Sequence, residues 1–122
     1  MLPEALSDSI EARIGDSIEL LRLAHSNGET YEAALLDSIH TAEHVLSEFE
    51  IARHLVCPGG LILIHDAVLP HGTVPLALDR IASMGYGVTR LWTAEGGDQA
   101  DAGLGLAVIE NRCKKGQATC PL

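Results

Sequence analysis

Two strand-like runs that each end in an acidic residue are the most constraining feature of this chain. The run Tyr31 to Leu36 leads into Asp37, and the continuous apolar run Leu61 to Ile64 leads, through one histidine, into Asp66. An amphipathic helix with apolar residues at gaps of three and four separates the two runs. Parallel strands joined by a helical crossover end at the same edge of a sheet, so the pattern predicts that Asp37 and Asp66 lie side by side. Two carboxylates at such an edge can hold a metal or a polar substrate group.

The remaining helix and strand signals predict one α/β domain. The predicted strands cover residues 9–14, 31–36, 61–64, 88–92 and 104–109. Helices are expected from a cap at Asp16 or Ser17 to about Asn27-Gly28, from Thr41 to about Val56, and from about Val74 to Met84. Pro58-Gly59-Gly60 is expected to break the chain, and the strand after it to be buried on both faces. This alternation favours a doubly wound, mostly parallel sheet that ends in an antiparallel pair.

Composition limits the class of protein. The net charge is −9 and the isoelectric point is about 4.9, so we expect no nucleic-acid partner. No apolar run approaches the ~20 residues of a membrane span, and the N-terminus lacks a basic region followed by an apolar one. Cys57, Cys113 and Cys120 lack the spacing of a zinc site or a disulfide framework. We therefore expect a cytoplasmic protein without a membrane anchor.

Five motifs, taken in order, resemble one family. They are GDSIELL, LLDSIH, PGGLILIHDAVLPHGTV, GYGVTRLW and GLGLAVIENR. Their order and spacing are similar to the C-terminal two-thirds of class I S-adenosylmethionine-dependent methyltransferases, most closely the metal-dependent O-methyltransferases of the catechol and antibiotic-sugar types. The resemblance covers residues from about Ile10 to Arg112. It implies a truncated Rossmann-like methyltransferase sheet with flanking helices within residues 1–112. The tail at residues 113–122 has no periodicity and is expected to be disordered.

The resemblance also implies roles for individual residues. Asp37 and Asp66 match the metal ligands of the family, and His40 matches its general base. His65 stands where the sugar-type enzymes have an acid, so it is a third candidate metal ligand, and Ala67 stands where the catechol type has an asparagine. Two carboxylates and water suit Mg²⁺, whereas a histidine ligand would suit Mn, Fe, Ni or Zn. Mg²⁺ is therefore expected, with the identity of the metal left open.

Gly15, Asp16 and Ser17 resemble the loop that lies near the adenine of S-adenosylmethionine in this family. No G-x-G-x-x-G motif precedes Ile10, although the first half of the family's domain carries one. A single subunit is therefore expected not to bind the cofactor as a full family member does. The strand at residues 31–36 would have a free edge, and we expect a second copy of the chain or a partner chain to cover it.

Several of these residues also have a local explanation. Asp37 and His40 precede a helix, where an acid or a cap is common, and His65 is also explained by a bond to a neighbouring loop. His44 and His54 are expected at the surface of the second helix. The preferred function is metal-assisted O-methyl transfer to a small hydroxylated metabolite. The alternative is a non-catalytic α/β module for assembly or metal binding, and a flavodoxin-like receiver domain is disfavoured because the chain lacks a cluster of acids after its first predicted strand.

Overall fold

The structure, a computed structural model, describes residues 8–67, 72–91 and 105–112. In chain order, the elements are α1 (Ser17–Ser26), β1 (Tyr31–Leu36), α2 (Ala42–Leu55), β2 (Val56–His65), α3 (Val74–Ser83), β3 (Val88–Leu91) and β4 (Leu106–Glu110). The three predicted helices are confirmed. None of the helices in the described residues combines the length and the apolar composition that crossing a bilayer requires. Trp92, Leu104, the loop at residues 95–101 and the tail at residues 113–122 lie outside the described residues.

The four strands form one mixed sheet in the order β1-β2-β4-β3. β1 and β2 are parallel, and β4 runs antiparallel to both of its neighbours. The predicted truncated Rossmann-like sheet with an antiparallel last strand is therefore confirmed. Because β1 lies at the end of this order, its outer edge has no strand partner among the residues that the structure describes.

Helix α2 holds the centre of the domain. It begins after Thr41, whose Oγ1 accepts the backbone N–H of His44 at 3.3 Å, as a capping side chain does. It packs on β1 and β2 and contacts both α1 and α3. Its buried stripe consists of Val45, Glu48, Phe49, Ala52 and Leu55. The start of α2 and the carboxyl ends of β1 and β2 are therefore fixed against one aliphatic core.

The opposite face of the sheet is open in the described part of the chain. On β2, Ile62 and Ile64 are fully buried, but Leu61 is 42% exposed. On β1, Leu35 is 61% exposed. The prediction that residues 61–64 are buried on both faces is therefore wrong. Alternate strand residues point to opposite faces, and the described helices leave one of these faces uncovered.

Residues 9–14, predicted as a strand, form none. They have no strand neighbour in the described ranges, and the side chain of Ile14 is left 99% exposed. The segment is instead attached through Arg13, which donates to Glu29 at 2.8 Å and to Glu11 at 3.0 Å. The hydrogen bonds that Arg13 donates to the carboxylates of Glu29 and Glu11 raise the pKa of its guanidinium. Residues 9–14 therefore form an irregular segment that ion pairs of Arg13 attach to the domain, because none of the described strands pairs with them.

Pro58-Gly59-Gly60, predicted to break the chain, is instead a bulge inside β2. The pairing of β1 with β2 jumps from Tyr31 opposite Val56 to Ala33 opposite Leu61. Between these two pairs, β1 advances by two residues and β2 advances by five. The extra residues of β2 have no partner on β1, but they do not turn the chain, so the strand continues past them.

Hydrogen bonds from Asn111 hold this bulge in place. Its backbone N–H donates to Gly60 O, and its backbone O accepts from Gly59 N–H, both at 2.8 Å. Its fully buried side chain donates through Nδ2 to Val56 O at 2.7 Å and to Arg53 O at 2.9 Å. The residue after β4 therefore satisfies carbonyl groups where α2 passes into β2.

Candidate functional site

Three candidate metal-binding side chains meet at the carboxyl edge of the parallel strands. Asp37 directly follows β1, Asp66 directly follows β2, and His40 lies in the loop between β1 and α2. Each offers one ligand atom, and these atoms all lie within 4.8 Å of one another. The predicted juxtaposition of Asp37 and Asp66 is therefore present, and it arises because neighbouring parallel strands end together.

Asp66 combines burial with an unusual backbone conformation. Its φ is 61°, in the left-handed region, and its residue is 2% exposed. Aspartate visits this region more readily than most residues because its short side chain can bond locally. A buried acid held in such a conformation at a strand end is typical of functional sites, where the surrounding structure sustains the strain.

Two histidines contact the carboxylates from different sides. His40 Nε2 lies 2.5 Å from Asp66 Oδ2. His65 Nδ1 lies 3.1 Å from Asp66 Oδ1 and 3.2 Å from Asp37 Oδ1. His65 therefore contacts both acids, although it is not one of the three residues whose ligand atoms converge. The four predicted site residues are thus brought together, with one imidazole facing each oxygen of Asp66.

Thr73 connects the loops that carry the two acids. Its backbone N–H donates to His40 O at 3.2 Å, and its Oγ1 accepts the backbone N–H of Ala42 at 2.7 Å. Thr73, just before α3, therefore fixes both the loop that carries His40 and the first N–H group of α2. Thr73 was not predicted, because nothing in the sequence shows that these loops meet.

Glu48 and Ser38 were also missed. Ser38 Oγ donates to Glu48 Oε1 at 2.8 Å, and the Glu48 side chain is 4% exposed. A signal was available in the sequence, since Glu48 lies three residues after Val45 on the apolar stripe of α2. An acid on the buried face of a helix requires a hydrogen-bonding partner, and here the partner comes from the loop that carries Asp37.

The two histidines expected at the surface of α2 are partly buried instead. His44 Nε2 lies 3.2 Å from Ser17 Oγ and 3.6 Å from Glu48 Oε1. The ring of His54 packs edge-on against that of His25, with centroids 6.2 Å apart. Burial lowers the pKa of His54, and its charged neighbours Arg53 and His25 add to that effect. Contact between α1 and α2 accounts for both departures from the prediction.

The segment predicted to contact the cofactor begins α1. Asp16 caps the helix, since its Oδ1 accepts the backbone N–H of Glu19 at 3.0 Å. Beside it lies an open pocket of about 300 Å³, lined by Ile18, Arg22, Ile39, Thr41, Glu43, His44 and Ser47. Ile18 follows Ser17, and Ile39 lies between Asp37 and His40. The pocket is therefore lined by sequence neighbours of Ser17 and His40, although no residue of the Gly15–Ser17 segment or of the acidic cluster lines it.

The open edge of β1 lies beside a second, larger hollow. This groove has a volume of about 380 Å³ and is lined mainly by apolar residues of α1, β1 and α2. Glu48 reaches it from α2, and Arg13 reaches it from the segment before α1. Ser17, one of the predicted cofactor-binding residues, and Leu36, the neighbour of Asp37, also line it, whereas Asp37, His40 and Asp66 do not.

Two solved structures share this fold. An O-methyltransferase family protein from Burkholderia thailandensis superposes with a TM-score of 0.59 at 18% identity, over 93% of this chain and 38% of that chain. M1.HpyAVI superposes with a TM-score of 0.59 at 13% identity, over 84% of this chain and 55% of that chain. The chain thus spans less than two thirds of either protein, and identities this low show a shared fold alone. No curated protein matches the chain significantly.

A family model described as a methyltransferase domain matches residues 3–67. This range is more than half of the 122-residue chain. It includes α1, β1, α2 and β2 together with Asp37, His40, His65 and Asp66. The sheet order, the acidic edge and this match agree with one another, and the chain belongs to the methyltransferase-domain family.

Proposed function

We propose that the chain takes part in S-adenosylmethionine-dependent O-methyl transfer to a small hydroxylated metabolite with the help of a divalent metal, alone or as part of a larger enzyme. The observation that carries this proposal is the cluster of Asp37, His40 and Asp66, whose ligand atoms lie within 4.8 Å of one another. Family membership supports methyl transfer. The cluster adds the two groups that transfer to a hydroxyl requires, which are a site for a divalent metal and a base for the hydroxyl proton.

The side chains of the cluster fit a divalent cation. Two carboxylates offer the hard oxygen ligands that Mg²⁺ prefers, and the imidazole of His65, which contacts both of them, extends the choice to Mn²⁺ or Zn²⁺. Asp66 is buried, whereas the side chain of Asp37 is 50% exposed. One ligand would therefore be fixed by the interior while the other faces solvent, from which a substrate approaches. A cation bound there lowers the pKa of a hydroxyl that shares it.

His40 is the residue that we assign to the proton of the acceptor hydroxyl. Its side chain is 49% exposed, and its Nε2 faces the buried carboxylate of Asp66. With the Nε2–H donated to Asp66, Nδ1 is the nitrogen that accepts a proton. The carboxylate then orients the ring and stabilises the imidazolium that forms, as in other carboxylate–histidine pairs.

The pocket beside the start of α1 is the place that we assign to the nucleoside of the cofactor. Ile18 and Ile39 offer apolar surface to a purine ring, and Asp16 uses Oδ1 as a helix cap, which leaves Oδ2 for a ligand. S-adenosylmethionine supplies a sulfonium methyl group: the C–O bond forms as the C–S bond breaks, the hydroxyl proton passes to His40, and a methyl ether and S-adenosylhomocysteine result.

Titration calorimetry with Mn²⁺ tests the metal site. Asp37→Asn and Asp66→Asn each remove one carboxylate with little change in shape, and we expect either variant to weaken Mn²⁺ binding at least about tenfold. Asp79→Asn is the matched control, because Asp79 is an exposed acid that pairs with Arg90 outside the site. A wild-type chain that binds no Mn²⁺ would refute the metal-assisted mechanism.

The second candidate is a non-catalytic module that binds metal or serves assembly. It is favoured by one observation, which is that the metal cluster is complete within the described residues whereas no glycine-rich cofactor motif occurs in the sequence. Asp16→Asn separates the two candidates, since asparagine caps a helix as well as aspartate does. S-adenosylhomocysteine binding that is lost in this variant supports the enzyme. Metal binding without any S-adenosylhomocysteine binding supports the module.

A further inference from the structure

Glu48 is a buried acid that lies behind the candidate metal site without belonging to it. Its side chain is 4% exposed, and its Oε1 accepts a hydrogen bond from Ser38 Oγ at 2.8 Å. Burying a carboxylate is costly unless its oxygens are hydrogen-bonded. The Ser38 hydroxyl is therefore held firmly to α2, because releasing it would leave a buried acceptor with one partner fewer.

Ser38 is also part of the loop that carries the candidate ligands. It follows Asp37 directly and precedes His40 by two residues. A bond that fixes Ser38 consequently fixes the backbone from which both side chains project. Ser38 points to α2, whereas Asp37 and His40 turn to Asp66, so the loop is held from behind.

The other neighbour of Glu48 keeps the carboxylate in position. His44 Nε2 lies 3.6 Å from the same Oε1, one helical turn earlier on α2, and also lies 3.2 Å from Ser17 Oγ. The carboxylate is thus placed between α1, α2 and the loop after β1. Its position depends on helix packing and not on the metal, which is what a preorganised support requires.

We propose that Glu48 is a positioning residue which, through Ser38, holds the metal ligand Asp37 and the neighbouring base His40 in place at the candidate metal site. This inference rests on the proposed function, because it takes the cluster to be a metal site. Removing hydrogen-bonding partners that lie behind metal ligands typically weakens metal binding about 10–100-fold. The Ser38–Glu48 contact is expected to act in the same way, although neither residue touches the ion.

A matched set of serine variants tests this inference. Ser38→Ala removes the donor, and Ser38→Thr keeps a hydroxyl. Ser83→Ala is the control, because Ser83 Oγ donates within its own helix, α3, to Arg80 O at 2.6 Å. For each 122-residue chain, the Kd of Mn²⁺ is measured by calorimetry, and thermal unfolding of the metal-free protein is recorded beside it.

Ser38→Ala is expected to raise the Kd of Mn²⁺ at least about tenfold, while Ser38→Thr and Ser83→Ala stay close to the wild type. Glu48→Gln keeps an acceptor oxygen without the charge, so its Kd should fall between, and it carries the comparison if Ser38→Ala does not fold. A lowered unfolding temperature with an unchanged Kd would make the contact purely structural and overturn the inference. Failure of the wild type to bind Mn²⁺ would overturn the metal site itself, and the positioning role with it.

Discussion

His40 Nε2 lies 2.5 Å from Asp66 Oδ2, and the two side chains differ widely in exposure, at 49% and 2%. The contact joins the loop after β1 to the end of β2. A buried carboxylate thus faces an imidazole that remains open to solvent. In this arrangement the acid fixes the ring while the ring stays accessible to a substrate.

Replacing His40 separates its role as a base from a role as a ligand. His40→Gln is expected to change the Kd of Mn²⁺ far less than Asp66→Asn, for which we expect a loss of at least about tenfold. Calorimetry on both variants measures the difference. Equal losses would identify the imidazole as a ligand and contradict its assignment to the hydroxyl proton.

The backbone of Asp66 provides a second prediction. Because its φ is 61°, a residue with a Cβ but no local hydrogen bond is disfavoured there. Asp66→Ala is expected to be about 1–2 kcal/mol less stable to unfolding than Asp66→Gly. Both variants lack the carboxylate, so urea unfolding of the pair isolates the conformational cost. Identical free energies of unfolding would show that the left-handed conformation is relaxed in the variants.

In the bulge of β2, the two adjacent glycines Gly59 and Gly60 differ in the space that they leave for a side chain. A Cβ on Gly60 would lie 2.4 Å from the backbone O of Glu32 and 2.5 Å from Val56 Cγ1, whereas one on Gly59 would meet nothing within 4 Å. Gly59→Ala is expected to cost about 1 kcal/mol through its positive φ alone. Gly60→Ala should cost more, near the upper end of about 1–3 kcal/mol, since the backbone must shift. Urea denaturation that ranks the two in the opposite order would contradict the packing described.

Stability should depend on pH through His54. Burial, then Arg53 and His25, lower the pKa of this histidine from its ordinary value of 6.5 in the folded state. The unfolded state therefore binds the proton more readily, so stability is lost as pH falls from about 6.5 through the lower folded pKa. His54→Gln should flatten this dependence in urea unfolding measured across that range. A difference between variant and wild type that does not change with pH would remove His54 as the cause.

The open edge of β1 should be covered in solution. We propose that a second copy of the chain covers it, with the two β1 strands antiparallel about Ala33 and Ala34. This register sets Glu32 opposite Leu35 of the other copy, so small residues meet at the axis and like charges are kept apart. Light scattering should show a dimer, and Leu35→Lys should produce a folded monomer, because a charge on an exposed edge blocks pairing. A wild-type chain that is monomeric and well folded would contradict the proposal.

Much of the fold follows from patterns that are local in the sequence. Helix α2 was predicted because its apolar residues recur at gaps of three and four after a capping Thr41. Residues 9–14 also carry a strand pattern, but a strand needs a neighbour, and periodicity alone does not show whether one is present. The bulge at Pro58-Gly59-Gly60 escaped prediction for a related reason. Its support comes from Asn111, about fifty residues further along the chain.

The candidate site divides in the same way. Asp37 and Asp66 were found because parallel strands bring their ends together whatever the details of packing. Thr73 and Ser38 were missed because their importance depends on loop contacts that no periodicity encodes. Glu48 lies between these cases. An acid on the buried face of a helix indicates that a hydrogen-bonding partner is present, but the sequence does not show which residue it is.

The position of β4 constrains how this domain is assembled during synthesis. β3 is made earlier than β4, yet among the described strands β4 is the one that joins it to the rest of the sheet. A nascent chain that has been synthesised as far as β3 therefore still lacks a central strand of the sheet. Its apolar strand residues remain exposed to other nascent chains and to chaperones. The acidic edge is encoded within the first 66 residues, but the sheet that supports it closes only after residues 106–111 have emerged from the ribosome.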